Sequence, residues 1–354
     1  MTPKVAPYGS WKSPITTDLI TGATIGLGQI TLDGEDIYWT ELRPTEKGRN
    51  VIVKQAPNGT IHDVTPDGFN VRTRVHEYGG GAYFVANGTV YFSNFADQRL
   101  YYQSGENAVA LTPDVAMRYG DGILDAQKNR IICVCEDHTA GEHEPVNKLV
   151  AINLDNGNTQ TLVSGNDFYT SPRLSPNGSQ LAWLTWNHPK MPWDSAELWV
   201  GDVQSDGSIG NAKKIAGGAN ESVCQPEWSA SGRLYFILDR TGWWNIYRTT
   251  DDSIENLTPI SAEFGKPQWI LGTCTYGIES NNRIICSYTE QGTWKLASLD
   301  ITSRQLETFD LPYTEISSLQ VVPGKVVFNG GAPTQPTELV VLDLATLQRT
   351  VLRR

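Results

Sequence analysis

Residues 223–257, VCQPEWSASGRLYFILDRTGWWNIYRTTDDSIENL, contain the pattern that decides the fold. Short apolar stretches near Val223–Trp228, Leu234–Leu238, Trp244–Arg248 and Ile254–Leu257 are separated by turns rich in Gly, Ser and Asp. In the second stretch, alternate residues point to opposite sides, and both sides are apolar. Because both faces need covering, the unit predicts a four-stranded antiparallel sheet packed between two similar sheets.

The same unit recurs seven times, at intervals of about fifty residues. Its most regular part is the second strand, read at Ile37–Trp39, Val90–Phe92, Ile131–Cys133, Leu181–Trp183, Leu234–Phe236, Ile284–Cys286 and Val326–Phe328. Repeats of this kind predict an all-β, seven-bladed β-propeller of four-stranded antiparallel blades.

The two ends of the repeat array look complete. Gly26–Leu32 reads as the first strand of blade one, and Leu347–Leu352 as the last strand of blade seven. We therefore expect the ring to close without exchange of a strand between its ends. Residues 23–354 form the predicted propeller, and residues 1–22, which lack the repeat, form an N-terminal extension.

A turn motif reinforces the repeat. SPRLSPNGSQLAW (171–183) and QPEWSASGRLYF (225–236) share a Pro, a Ser and a Gly at matching spacings, and KPQWILG (266–272) keeps the first half. The Gly supplies the positive φ that a tight turn between strands one and two requires.

Composition restricts the partners and the compartment. The 354 residues carry a formal net charge of −11, and such an acidic surface repels nucleic acid. The sequence has no apolar run long enough for a transmembrane helix, and its start lacks the apolar core of a signal peptide. Five cysteines without Cys-x-x-Cys spacing favour a reducing compartment, so we expect a cytoplasmic protein with neither nucleic-acid nor membrane partners.

The unusual sequences fall in loops that a propeller places on one face, namely the loop leading into each first strand and the loop between strands two and three. They are TRVHEYGGGAY (73–83), DHTAGEHEP (137–145), DFYTSPR (167–173), WNHPKMPWD (186–194) and DRTGWW (239–244). The candidate rim residues that face a substrate or a partner domain are Arg74, His76, Glu77, Tyr78, Tyr169, Arg173, His188, Trp193, Asp239, Arg240, Trp243 and Trp244.

Each candidate also has a purely structural interpretation. Trp193, Trp243 and Trp244 are compatible with packing between blades, and Arg74 with Glu77 is compatible with an ion pair that braces its own loop. A strand rather than a helix follows Gly79–Gly81, so this run indicates close packing at the channel end and not a phosphate site.

The sequence contains no recognisable catalytic centre. It lacks the Gly-x-Ser-x-Gly elbow of serine hydrolases, the His-Glu-x-x-His zinc helix and the Walker loop. His138, Glu142, His143 and Glu144 are metal-ligand types, but a flexible acidic loop is the better interpretation of that segment. We therefore predict no catalytic residue, metal or cofactor in this chain.

Three long phrases closely resemble the propeller half of serine peptidases of the prolyl oligopeptidase family, in its acylaminoacyl-peptidase or dipeptidyl-aminopeptidase-like branch. They are TRVHEYGGGAY (73–83), SPRLSPNGSQLAWLTWNHPKMPWD (171–194) and DRTGWWNIYR (239–248), and PYGSWKSPIT (7–16) extends the likeness. In that family the propeller caps a C-terminal α/β-hydrolase domain that carries the Ser, Asp and His. The resemblance implies that this domain would begin where the chain stops at Arg354, so we expect the chain alone to be inactive.

The resemblance implies a gating role toward short peptides. Glu77 would pair with a peptide's free amino group, Arg74 or Arg173 would bind a carboxylate or carbonyl, and residues 1–22 would pack on the hydrolase domain. Two alternatives remain open at this stage. One is a stand-alone binding propeller that acts as a protein-interaction scaffold, and the other is a metal-dependent propeller hydrolase.

Overall fold

A computed structural model of the chain describes residues 3–22, 24–141 and 144–354. Within these ranges, 28 strands form seven antiparallel sheets of four consecutive strands each. The seven-bladed β-propeller predicted from the repeat is thereby confirmed.

The strands of blades one to four follow the repeat in order. They are β1 (Gly26–Asp33), β2 (Asp36–Arg43), β3 (Arg49–Gln55) and β4 (Ile61–Asp63); β5 (Tyr83–Ala86), β6 (Thr89–Ser93), β7 (Leu100–Gln103) and β8 (Ala108–Ala110); β9 (Met117–Asp125), β10 (Arg130–Asp137), β11 (Val146–Asn153) and β12 (Thr159–Val163); and β13 (Phe168–Leu174), β14 (Gln180–Trp186), β15 (Glu197–Val203) and β16 (Ile209–Gly217).

Blades five to seven complete the ring. Their strands are β17 (Val223–Trp228), β18 (Leu234–Leu238), β19 (Asn245–Thr249) and β20 (Ile254–Asn256); β21 (Tyr276–Ser280), β22 (Arg283–Glu290), β23 (Thr293–Asp300) and β24 (Leu306–Thr308); and β25 (Glu315–Val322), β26 (Lys325–Ala332), β27 (Gln335–Asp343) and β28 (Arg349–Arg353). A short helix α1 (Thr17–Thr21) and a 3₁₀ turn (Pro44–Glu46) lie outside the sheets.

The ring closes without strand exchange, as predicted, because blade one contains only β1–β4 and blade seven only β25–β28. Apolar packing joins the two blades: Ile30 and Trp39 of blade one share a buried cluster with Val327 and Leu339 of blade seven. A buried carboxylate reinforces this packing, since Arg353 Nε donates to Glu41 Oε1 at 2.7 Å.

The first strands, which line the channel, carry a repeated bulge. Asp121, Ser171, Gln225 and Ser318 each adopt a positive φ near +50° where the pairing register with the second strand shifts. Two of these side chains reach the next blade. Asp121 Oδ2 accepts the Ser171 N–H, and Gln225 Oε1 accepts the Thr275 N–H, both at 2.7 Å. Two of the four bulges therefore hydrogen bond neighbouring blades to each other beside the channel.

One expectation about blade six was wrong. KPQWILG (266–272) is not a turn between strands one and two, because it lies before β21, in the loop 257–275 that leads into the blade. The turn between β21 and β22 is formed instead by the short segment at Asn281 and Asn282.

Residues 3–22 precede the first blade as irregular chain and helix α1, and they expose several large apolar side chains, among them Tyr8, Trp11 and Leu19. The predicted boundary at residue 23 falls outside the described ranges and stays a prediction, as does packing of this extension on another domain. Among the described residues, no helix is both long and apolar enough to span a membrane.

Candidate functional site

The unusual loops of the sequence gather on one face of the propeller, which we call the rim face. It carries the loops leading into first strands, such as 64–82 of blade two and 257–275 of blade six, and the loops between second and third strands, such as 187–196 of blade four. Because loops alternate between the two faces of a four-stranded blade, these segments emerge on the same side.

Two of these loops meet across the ring. The Leu271 N–H donates to the Gly79 carbonyl at 2.8 Å, and Gly80 forms a parallel bridge with Leu271. Blades two and six are not neighbours, so their loops can touch only by reaching over the axis. A Cβ built on Gly80 would lie 2.6 Å from Leu271 N, which confirms that the glycine run serves close packing at the channel end.

Beneath this bridge lies the central channel, a cavity of about 330 Å³ to which first strands from all seven blades contribute. Arg173 lines the channel, where its guanidinium contacts Asp121 Oδ1 and Glu227 Oε1, each at 3.3 Å. Burial lowers the pKa of Arg173, but the two carboxylates outweigh it and the net pKa is raised. Arg173 is therefore held in an internal ion-pair network below the loops and not on the exposed rim.

On the outer side of the bridge is a second, apolar cavity of about 190 Å³. Six rings line it, and we call it the aromatic cup: His76, Tyr78, Phe168, Trp186, Trp193 and Trp269. Phe168 stacks on Trp186 at 5.2 Å between centroids, and Trp193 contacts Trp269 at 4.5 Å. The loop 187–196 adds His188, Lys190 and Met191, and Gly79 and Leu271 of the bridge line the cup but not the channel.

Part of the cup is exposed to solvent. Tyr78 retains 62% of its accessible surface and Trp269 51%, although the two rings contact each other edge to face at 5.5 Å. The sequence of the rim loops indicated Tyr78, His76, His188 and Trp193 but not Trp269. The only signal for Trp269 was the KPQWILG phrase, which was misassigned to a turn.

A charged cluster borders the cup. Arg118 Nη1 lies 2.9 Å from Glu77 Oε1 and 3.0 Å from Glu136 Oε2, whereas Arg74 Nη2 is 3.7 Å from Glu77 Oε2. The hydrogen bond from Arg118 lowers the pKa of Glu77, whose side chain is 68% exposed. Glu77 is thus an ionised, accessible carboxylate. The sequence showed Arg74 and Glu77, but Arg118 and Glu136 come from the neighbouring blade and were missed.

His76 links the cup to the charged cluster. Its backbone N–H donates to Glu136 Oε1 at 3.1 Å, and its ring contacts Phe168 and Trp186 edge to face. Burial lowers the pKa of His76 to about 4, outweighing the opposite effects of Glu136 and Asn147. The imidazole is therefore neutral at pH 7, and both His76 and Glu77 hold a positive φ that fixes the loop.

Of the remaining candidate residues, some are buried inside blades and others lie on the protein surface. Tyr169 and Trp244 are buried, and the Tyr169 hydroxyl accepts the Asn166 N–H at 2.9 Å, so these two side chains pack inside blades. Arg240 makes two hydrogen bonds to Glu221, at 2.7 and 3.0 Å, on the rim face of blade five. Trp243 beside it is exposed.

Asp239 lies at the start of the same loop and anchors it. Its Oδ1 accepts the Ser222 N–H at 2.7 Å. Burial raises the pKa of this carboxyl group above its ordinary value. These contacts place Asp239 at the base of the blade-five loop.

The acidic loop of blade three joins β10 to β11, as expected. His138 Nε2 lies 3.0 Å from Glu136 Oε2, whereas Glu142 and His143 lie outside the described residues. Over the part of the chain that the structure describes, no three His, Cys, Asp or Glu side chains gather in a group that could hold a metal ion.

Solved structures match the whole chain closely. A puromycin-hydrolyzing peptidase of Mycobacterium tuberculosis matches 99% of the chain at 36% identity with a TM-score of 0.91, and a puromycin hydrolase matches 99% at 31% identity with the same TM-score. An acylaminoacyl peptidase of Pyrococcus horikoshii, at 11% identity and a TM-score of 0.63 over 94% of the chain, shares the fold.

The chain matches only part of each of these proteins: it spans 57% of each of the first two structures and 52% of the third. No family model matches the sequence, and no curated protein matches it either. The propeller formed by this chain therefore matches peptidases of the prolyl oligopeptidase family, as the resemblance of the rim loops indicated, and the chain covers only the propeller half of those proteins.

Proposed function

We propose that this chain is the gating propeller of a serine peptidase that hydrolyses short peptides, with the catalytic residues supplied by an α/β-hydrolase domain placed against the rim face. The observation that carries the proposal is the match, at 30–36% identity and a TM-score of 0.91, to the propeller half of puromycin-hydrolysing peptidases. The rim face carries the exposed rings of Tyr78, Trp243 and Trp269, which suits contact with a second domain.

The crossing of the two loops supports a size filter. Gly79 and Leu271 are hydrogen bonded over the axis, and Gly81 accepts the Asp121 N–H at 2.8 Å, so backbone occupies the channel end at the rim face. A peptide would then approach along the rim, in the gap between the propeller and the catalytic domain. Such a gap admits a short extended peptide and excludes a folded protein.

Glu77 is the side chain that we propose to bind the free amino group of the peptide. Its carboxylate is ionised and exposed, and a charge-assisted hydrogen bond to an ammonium group orients a substrate well. Arg74 is proposed to contact a carbonyl or carboxylate, because its ion pair with Glu77 is long at 3.7 Å. Arg173 drops out of this role, since Asp121 and Glu227 hold it in the channel.

The test compares this chain with a longer protein in which it is joined to the hydrolase domain. We expect the longer protein to cleave aminoacyl chromogenic peptides and to be blocked by a serine-directed inhibitor, and the 354-residue chain to show neither property. Inhibitor-sensitive turnover by the chain alone, or none by the longer protein, would overturn the proposal.

The role of Glu77 has its own readout in the longer protein. Glu77→Gln should raise KM for peptides with a free amino terminus by about tenfold, because the ammonium group loses its counter-charge. The KM for the same peptides N-acetylated should stay within about twofold. An unchanged KM for the free-amino peptides would exclude the pairing.

A cytoplasmic location remains part of the proposal. It is supported by the five cysteines, all of which carry free thiols, with four of them buried. Fractionation of the native cells should recover the protein with cytoplasmic markers, and recovery outside the cytoplasm would contradict this assignment.

A further inference from the structure

We propose that the aromatic cup binds one aromatic side chain of the peptide, so that the propeller itself contributes to substrate selection. The inference rests on the proposed function, since it names the class of residue that the gated peptide presents to the rim face. It adds a binding site whose lining belongs entirely to this chain.

The size of the cup favours a single ring. Its volume is about 190 Å³. An apolar cavity of roughly 150 Å³ is enough to hold benzene, whereas sites that enclose a whole small ligand usually exceed about 300 Å³. The cup therefore accommodates one phenyl or hydroxyphenyl side chain and leaves the rest of a peptide outside.

The shape of the cup favours the same occupant. Phe168 and Trp186 form one stacked pair, with the His76 ring placed edge-on against both. Trp193 and Trp269 form a second pair, tilted by 46°. Aromatic rings attract one another in offset and edge-to-face geometries, so a ring entering the cup meets faces and edges suited to it.

Exposure distinguishes the cup from an ordinary core cluster. Tyr78 and Trp269 remain more than half exposed while in contact with each other, and contiguous exposed apolar surface is typical of a binding site. Burial keeps the His76 ring neutral, which favours an apolar occupant, and Lys190 is the residue of the lining that carries a charge. A partner helix or strand would need a long groove, whereas this cavity holds only about 190 Å³.

The experiment measures binding of three neutral probes to the 354-residue chain by ligand-observed NMR titration. The probes are N-acetylphenylalaninamide, N-acetylalaninamide and N-acetylcyclohexylalaninamide. We expect the phenyl probe to bind at least about tenfold more tightly than the methyl probe and about threefold more tightly than the cyclohexyl probe. Acetylation removes the amino charge, so the result does not depend on Glu77.

Matched variants locate the binding. Trp269→Ala and Tyr78→Ala remove exposed walls of the cup and should each weaken binding of the phenyl probe by about fivefold or more. Trp243→Ala removes another exposed tryptophan from the rim face, one that does not line the cup, and should change binding by less than twofold. Because all three side chains are exposed, unchanged urea unfolding midpoints provide the folding control.

Equal affinity for the phenyl and methyl probes overturns the inference. So does an equal loss of binding in Trp243→Ala and Trp269→Ala, since the site would then lie elsewhere. Binding is measured without any catalytic step, so absence of peptidase activity in the longer protein would count against the proposed function and leave this result standing.

Discussion

The contact between the two loops over the channel can be tested by a glycine-to-alanine substitution, which adds a single methyl group. Gly80 has a φ of +88°, and a Cβ there would lie 2.6 Å from Leu271 N, 2.9 Å from the Ile270 Cβ, and closer still to the Leu271 carbonyl oxygen. Gly59 has almost the same φ, +85°, but a Cβ there would meet nothing within 4 Å. Gly59→Ala is therefore a control that has the backbone strain without the clash.

The expected magnitudes follow from these two environments. An alanine at positive φ costs about 1–2 kcal/mol, and this is the full expected effect of Gly59→Ala. In Gly80→Ala the opposing atoms are backbone, so the loops must separate and the hydrogen bond from Leu271 to Gly79 breaks, which adds about 1 kcal/mol. With the steric displacement included, we expect Gly80→Ala to cost about 2 kcal/mol more than Gly59→Ala.

Two assays read out this difference. Urea unfolding gives the loss in unfolding free energy, and titration with N-acetylphenylalaninamide reports on the aromatic cup, whose lining includes Gly79 and Leu271. We expect Gly59→Ala to bind the probe like the wild type and Gly80→Ala to lose binding. If the two variants lowered the unfolding free energy equally, within about 0.5 kcal/mol, the loops would not be packed as described.

Two further predictions concern buried titratable groups. The pKa of His76 is about 4 in the fold and about 6.5 in the unfolded chain, so the unfolded chain binds the extra proton between these values and stability falls as pH drops from 6.5 toward 4. His76→Gln should flatten that decline in urea unfolding, whereas His62→Gln, at an exposed site, should leave it unchanged. At the ring closure, Glu41→Gln should lower the unfolding free energy by about 3 kcal/mol, because the buried carboxylate that pairs with Arg353 is lost. Glu35→Gln changes an exposed residue of the same blade and should alter the unfolding free energy by no more than about 0.5 kcal/mol. Equal effects of the two substitutions would exclude a stabilising role for the buried ion pair.

The repeat made most of the architecture predictable. In blade five, the strands Val223–Trp228 and Leu234–Leu238 coincide with the predicted stretches, because apolar alternation and turn residues act within a few positions of one another. Closure without strand exchange was also predictable, since both terminal units contain four strands. These properties depend on local pattern, which a single sequence displays directly.

The site was predictable only in part, because its contacts are not local. Leu271 meets Gly79 across almost two hundred positions of sequence, and no pattern within either loop announces the pairing. Trp269 was overlooked for the same reason, since its loop lacks the repeat and its Pro-x-Trp phrase resembles a turn found in other blades. The ion pairs of Arg173 are also non-local, because Asp121 and Glu227 come from the two neighbouring blades and no pattern near Arg173 indicates them.

The bridge between the two loops also decides where selectivity can reside. Arg173, Asp121 and Glu227 lie on the channel side of the bridge, so their charges are separated from the rim by backbone. On the rim side, a neutral His76 ring lies next in sequence to the ionised Glu77. His76 and Glu77 therefore place an apolar and an anionic position side by side on one loop, and both residues have a positive φ. Because the seven-fold repeat supplies neither position, any specificity at this face depends on the loops that depart from it.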